Sequence, residues 1–507
     1  MRRLRDWKWT CGGLAVALAA MCGGLAWAGD EAFRSKGPEV AVGGVAPADY
    51  FAQMGQMHTW LMTQVPDGVG QSVVRVALSE QDKLDLATPY VAGPQPTPMR
   101  VGVVKSLSVP VDLSLGVRRD TADGGFVWAT TVTAEGAFAI RVHFEDFSLP
   151  AGAEMYFLSR EGEAYGPYVG GGPYDTGEFW SQSLTSSTGI VLLRFDGGAR
   201  DLRSLSFRIT EVAHVAQDFP KATEGTDSLC TYNADCVVNN ECTSDAAVAS
   251  AKYAIAKMRW IQVPYIYICT GGLVADTDGS TQIPYFLTAN HCIAKDKAAA
   301  NLEAYFQYWV PCGTSVCTAS FDPAPAPAVY GASVVATGST GDFTLLRLNG
   351  QPPAGSLYLG WNNAPIAFTS GTEMHRVSHP SGAPQGYSQH AVDASIATCL
   401  GADRGPWIYS DDVVGATEGG SSGSPVVNGV GQIVGQLTGC CPMGGGDCTD
   451  VCNVYNHTID GALAYYWTSV APYLDPGTSS CSLAGEPCTS SAACCSGFCH
   501  PSKLVCK

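Results

Sequence analysis

Apolar and polar residues alternate along short segments through most of this chain. From 205 to 215, Leu205, Phe207 and Ile209 fall on one face and Ser206, Arg208 and Thr210 on the other, the period-two pattern of a half-buried strand. The runs 137–144 and 189–195 have the same character, and Gly/Pro-rich turns separate them, so residues 29–225 are expected to form a β-sandwich. Short apolar or aromatic runs return at 265–274, 285–288, 305–310, 343–348, 407–414 and 432–437, which predicts a second, mostly β domain over 226–477. Only near its end does the period change. Leu463, Tyr466, Val470, Tyr473 and Leu474 recur near helical spacing and stop before Asp475-Pro476, predicting a terminal helix packed on a barrel.

With 507 residues, the chain is long enough for two or three domains with a core each. Arg2-Arg3-Leu4-Arg5, an apolar run at 14–25 and Ala26-Trp27-Ala28 read as a secretory signal over 1–28, cut after Ala28. No later apolar run approaches the roughly 20 residues needed to span a bilayer. The product is expected to be secreted and extracellular, or periplasmic in transit. Of the 20 cysteines, none falls between 29 and 229, so disulfides should staple only the second half. A net charge of -17 argues against nucleic acid and anionic membranes as partners; the expectation is a monomer that acts on protein or peptide.

The last 30 or so residues cannot bury a sufficient core, so their six cysteines must supply the stability. Cys481, Cys488, Cys494, Cys495, Cys499 and Cys506 allow 15 pairings.

Three motifs carry chemistry. Phe286-Leu287-Thr288-Ala289-Asn290-His291-Cys292 ends a strand on a histidine, and Gly341-Asp342-Phe343 opens another with an aspartate. The small-residue turn 416–425 carries Ser422 among glycines, where a hydroxyl reaches solvent and bare backbone can approach a substrate carbonyl. A serine hydroxyl attacks only when a neutral imidazole takes its proton, and a carboxylate fixes the imidazole tautomer.

In this His, Asp, Ser order the motifs resemble those of chymotrypsin-fold serine proteases. Over about 230–476 the resemblance is to the bacterial lysyl endopeptidase group, through Cys269-Thr270-Gly271-Gly272-Leu273-Val274, Tyr308-Trp309, His379-Pro380, the 416–425 turn and Leu474-Asp475-Pro476. It implies a double β-barrel, His291 as general base, Asp342 orienting it, Ser422 as nucleophile, and the N–H groups of Gly420 and Ser422 as oxyanion hole. It requires no metal or organic cofactor. It pairs Cys269 with Cys292. Cys312 would close a local loop with Cys317, or one of them would reach back near Cys236. A partner for Cys230 is expected among Cys440, Cys441 and Cys448, while Cys242, Cys399 and Cys452 stay unassigned. The tail resembles an inhibitor cystine knot, which implies 481 with 495, 488 with 499 and 494 with 506.

Two departures from the family pattern matter. Trypsin's acid just before the nucleophile is Ser421 here, so removal of the 29–225 module, acting as a propeptide, is the expected switch, with a small polar junction at 221–228 as processing site. The specificity pocket is expected at Ala416, Thr417, Thr438, Thr458 and Asp460. Thr458 occupies the place of the lysyl endopeptidase pocket aspartate, which leaves Asp460 or Asp450 to substitute, or a preference other than lysine. His379 and Trp361 are expected to be packing residues. The competing expectation is an exported surface- or carbohydrate-binding protein that uses the protease fold as a scaffold.

Overall fold

The strand Met99–Val111, 13 residues long, is the seam of the molecule. One edge pairs antiparallel with Ser206–Val215 and the other with Tyr265–Leu273, where Val103 faces Tyr265 and Met99 faces Ile268. A sheet that begins in the amino-terminal part therefore runs without a break into the second part. The computed structural model describes residues 33–88, 96–196, 204–216, 233–313 and 327–476. The candidate signal, the junction at 221–228, Cys230, Cys317 and the cysteine-rich stretch 478–507 lie outside the described residues. Residues 1–33 and 34–507 cluster as two units, and the second is the one described here.

The amino-terminal part is the expected sandwich. A sheet containing Phe126–Ala134, Thr188–Phe195 and Ala153–Leu158 packs on one containing Ala139–Ser148 and Ser206–Val215. Phe126, Trp128 and Leu193 from the first meet Val142, Phe144 and Ile209 from the second in one core. The alternation at 205–210 holds: Leu205, Phe207 and Ile209 are buried, and Ser206 and Arg208 are exposed. Two helices had not been anticipated. Pro47–Gln64 has a proline in its first turn, and Glu80–Ala87 starts at a capping box in which Ser79 and Asp82 satisfy each other's backbone N–H groups.

The second part folds as two antiparallel barrels. The first contains Ile255–Gln262, Tyr265–Leu273, Tyr285–Ala289, Glu303–Phe306 and Phe343–Leu348. In the second, Ile433–Pro442, Pro425–Asn428, Glu373–Ser378, Gly386–Val392, Trp407–Val414 and Asn456–Ala462 pair in that order. Ile433–Pro442 also pairs with Asn456–Ala462, which closes the ring. The expected terminal helix is Leu463–Leu474, burying Leu463, Tyr466, Val470 and Leu474. The aromatic run expected at 305–310 is shorter, a strand at Glu303–Phe306.

Five disulfides join described cysteines: Cys236–Cys452, Cys242–Cys312, Cys269–Cys292, Cys399–Cys441 and Cys440–Cys448. Cys269–Cys292 is as expected. Cys312 does not pair with Cys317 but reaches back to the domain's amino end, near Cys236, as the family pattern implied, and bonds to Cys242; the three partners proposed for Cys230 are all taken. Cys440 and Cys441 are neighbours on one strand, so their side chains leave opposite faces and need different partners.

The seam is also ionic. Arg141, Glu303 and Arg259 are almost wholly buried, with Glu303 Oε2 3.5 Å from Arg141 Nη1 and 3.4 Å from Arg259 Nε. Glu303 also accepts from Ser183 N–H at 2.6 Å and Ser183 Oγ at 2.7 Å. Burial pushes the Glu303 carboxyl up, but the two guanidinium groups and Ser183 outweigh it and hold it below its ordinary value. A depressed carboxyl stabilises the fold above its unfolded-state value and loses that contribution as pH falls through the folded value. Arg141→Ala leaves a buried carboxylate short of a partner and is expected to cost about 3–5 kcal/mol in urea unfolding near pH 7, with the gap from the parent protein narrowing in acid. A cost below about 1 kcal/mol would show that the node does not hold the seam.

Candidate active site

Strand pairing brings the first two motifs together. Tyr285–Ala289 lies antiparallel to Phe343–Leu348 with Ala289 opposite Phe343, so the residues just beyond one strand meet those just before the other. His291 and Asp342 occupy those positions. Asp342 Oδ1 accepts the His291 backbone N–H at 2.9 Å, and Oδ2 lies 2.7 Å from Nδ1. The side chains are only 9% and 8% exposed. A carboxylate so close can only accept, so Nδ1 carries a proton, and in the neutral ring Nε2 keeps its lone pair. Nε2 is buried and has no hydrogen-bond partner among the described residues.

The second barrel holds this pair from behind. Gln436 Nε2 donates to Gly341 O at 2.8 Å and to Asp342 O at 3.0 Å, and Tyr466 of the terminal helix bonds to Gln436 Oε1. Phe343 stacks on Tyr466 with ring centroids 4.2 Å apart. Asp342 itself has φ of 49°, a conformation that its fixed surroundings maintain.

The serine turn is pressed against the strands that deliver the histidine. Thr270 N–H donates to Ser422 O at 2.8 Å, Thr270 Oγ1 donates to Gly420 O at 2.7 Å, and Gly423 N–H donates to Leu437 O at 2.8 Å. Cys292, disulfide-bonded to Cys269, lies with its Sγ 3.7 Å from Ser422 O. Cys269, His291 and Cys292 bring potential ligand atoms within 4.8 Å of one another, but the disulfide removes both thiolates and with them a metal site. Gly420 has φ of 90°, and the N–H groups of Gly420 and Ser422 have no acceptor among the described residues, the condition an oxyanion hole requires.

A cleft of about 320 Å³ opens beside His291, lined by Asn290, Asp342, Trp407, Thr438 and Ile459 and, from the amino-terminal part, Pro96. Of the five expected pocket residues, Thr438 lines it. Ala416 is buried with Val237 and Ala383, and Thr417 is half-buried beside it. Asp460 and Thr458 share a face of their strand, and both are engaged. Asp460 is ion-paired with Arg376, each wholly buried, which leaves it no charge for a substrate ammonium. Thr458 Oγ1 donates to Asp412 Oδ1 at 2.7 Å.

Asp412 escaped the sequence reading. Its Oδ1 lies 2.8 Å from His390 Nδ1, and Arg376 Nη1, which can only donate, lies 3.0 Å from His390 Nε2, so His390 presents its Nδ1–H to Asp412. Burial pushes the Asp412 carboxyl up; His390, Thr458 and the Arg376 charge more than reverse this and hold it below its usual value. Asp450 stays on an exposed turn. His379 and Trp361 are buried packing residues: His379 stacks on Tyr308, burial drives its pKa down to about 3, and Trp361 Nε1 donates to Ala275 O at 2.9 Å.

Residues 225–456 match the family model of the lysyl endopeptidase C-terminal domain. A lysyl endopeptidase of Pseudomonas aeruginosa is 29% identical over 367 residues, covering 68% of this chain and 75% of that protein. Among solved structures, the Rv3671c protease from M. tuberculosis in its active form covers 51% of this chain and 93% of its own, at 15% identity and a TM-score of 0.32. The HtrA-type protease AlgW with tripeptide covers 48% and 67%, at 15% identity and a TM-score of 0.32.

Gly423 tests how tightly the turn is seated. Its φ is 81°, and an added Cβ would lie 2.7 Å from both Ala289 N and Thr270 O and would overlap Thr288 Oγ1. Ala289 N and Thr270 O are strand backbone and cannot yield, so Gly423→Ala should displace Ser422 and lower kcat about hundredfold. Parental kcat in the variant would mean the turn is not seated on these strands.

Proposed function

We propose that this chain, a serine endopeptidase of the trypsin-like fold that resembles bacterial lysyl endopeptidases, cuts protein substrates through Ser422, His291 and Asp342. The observation that carries the proposal is the 2.7 Å contact between His291 Nδ1 and Asp342, which leaves the other ring nitrogen as a base next to the serine turn. His291 takes the Ser422 proton as Oγ attacks the scissile carbonyl, and Asp342 stabilises the imidazolium that forms. The N–H groups of Gly420 and Ser422 receive the negative charge of the tetrahedral intermediate, and His291 returns the proton to the departing amine. A water that His291 activates then releases the acyl group. Ser422→Ala should abolish peptide hydrolysis and labelling by an organophosphonate; a variant that keeps full activity would remove the assignment.

We further propose that the protein is exported, as its disulfides suggest, and made as a precursor whose 29–225 module assists folding and restrains the enzyme. Two features support this role: the module supplies a strand to the first barrel's sheet, and Pro96 stands in the cleft beside His291. Peptidase activity measured before and after removal of that module from the purified chain should rise, and unchanged activity would contradict the restraint.

A preference for lysine is part of the proposal, with Asp412 as the acid. Bonded to Thr458, it stands beside the place where lysyl endopeptidases hold their pocket carboxylate, and unlike Asp460 it is not neutralised by a guanidinium partner. A peptide-library digest should show cuts after lysine that weaken at least tenfold in Asp412→Asn, the loss expected for a charge-assisted contact. Cuts after small or apolar residues would reject the preference.

A further inference from the structure

Glu418 stands four residues before Ser422 on the same turn, and the mechanism above gives it no task. Its Oε1 accepts the Ala234 N–H at 2.7 Å; Oε2 accepts from Asn233 Nδ2 at 2.5 Å and from Ser381 Oγ at 2.8 Å. The donors come from two segments distant in the chain. Asn233 and Ala234 lie at the amino end of the described part of the protease domain, and Ser381 lies in the turn Pro380–Gly382. The two donor segments are also tied to each other, since Asn233 Nδ2 donates to Pro380 O at 3.1 Å. Among the described residues no basic side chain forms an ion pair with Glu418, so neutral donors alone hold its carboxylate.

These bonds bear on the oxyanion hole through short backbone contacts. Ser381, at φ of 53°, donates its N–H to Gly419 O at 2.6 Å, and Ser421 N–H donates to Glu418 O at 3.0 Å. The 379–382 segment lies directly against Gly420, where an added Cβ would come 2.9 Å from His379 O and 3.0 Å from Gly382 N. The residue immediately before the nucleophile cannot anchor the turn by charge. It is the neutral Ser421, wholly buried and hydrogen-bonded to Ser378 Oγ at 3.0 Å.

We infer that Glu418 is the positioning residue of the oxyanion hole: its carboxylate ties the amino end of the protease domain and the 380–382 turn to the peptide that presents the Gly420 and Ser422 N–H groups. The inference rests on Ser422 being the nucleophile, and it assigns no contact between Glu418 and substrate. A carboxylate that accepts three hydrogen bonds fixes the turn more firmly than neutral groups could. Without it, Ala234 N–H and the Asn233 amide lose their acceptor and the two oxyanion donors lose their aim. Those donors act where charge develops, so their loss weakens transition-state binding and leaves substrate binding nearly unchanged.

The test compares the parent chain with Glu418→Ala, Glu418→Asp and Asn233→Ala, each expressed with its amino-terminal module and assayed on a peptide amide and a peptidyl aldehyde. The aldehyde forms an oxyanion on Ser422. Glu418→Ala should lower kcat roughly tenfold to hundredfold, less than the loss of a whole oxyanion donor, with KM within about threefold and aldehyde affinity falling in step with kcat. Glu418→Asp should recover part of the loss. Asn233→Ala, which removes one donor from outside the turn, should show the same split at smaller size and serves if Glu418→Ala does not fold. A lowered Tm with parental kcat and aldehyde affinity at 25 °C in the folded variants would overturn the inference and make Glu418 a stabilising residue only. Ser422→Ala assayed alongside separates the failures: if it stays active, the nucleophile assignment fails, whatever Glu418 does.

Discussion

The carboxylate–imidazole contact at the barrel junction is the constraint on which the rest depends. Of two antiparallel strands in the first barrel, one ends two residues before His291 and the other begins just after Asp342, and their register sets those residues side by side. The second barrel then fixes the aspartate's backbone through Gln436, itself held by the terminal helix. Gly461 must be bare for this to happen, since a Cβ there would overlap Gly341 O. A side chain in one barrel, a glycine in the next strand and a helix at the domain's end thus converge on one ring orientation. The disulfide at Cys269–Cys292 closes the same region from the other side.

The amino-terminal sandwich belongs to this framework. Its longest strand is an internal strand of the sheet that also contains Tyr265–Leu273, the strand whose Thr270 bonds to both Ser422 and Gly420. Residues 35–40 run on to pair with Leu357–Tyr358 and Trp361–Asn362, and Arg34 is ion-paired with Asp475. With Arg141, Glu303 and Arg259 buried across the seam, separating the parts would expose unpaired strand edges and strand buried charges. The physical cost of separation ties the sandwich to the barrel whose cleft it borders.

What was legible in the chain was local. His291, Asp342 and Ser422 each sit in a short motif with strand or turn signals around it, and period-two alternation located most of the strands. The terminal helix was legible because Leu463, Tyr466 and Val470 repeat at helical spacing. Helix Pro47–Gln64 was not, because Gly55 interrupts a weakly apolar face and leaves only Leu61 fully buried. The pocket chemistry was hidden for a different reason. Whether Asp460 offers its charge to a substrate depends on Arg376, a partner from another strand of the barrel, and nothing near residue 460 announces it. Glu418 and Asp412 likewise take their meaning from neighbours distant in the chain. The disulfide pairing failed at Cys440 and Cys441, where sequence adjacency conceals opposite directions.

If Ser422, His291 and Asp342 form the proposed catalytic unit, they must fail together. The most direct test is a cycle of kcat values for Ser422→Ala, His291→Ala and the double variant in the purified enzyme. If the imidazole acts only by activating the hydroxyl, each single change should cost several orders of magnitude and the double change scarcely more. Losses that multiply, with the double variant worse by the product of the singles, would contradict a shared proton path and the account built on it.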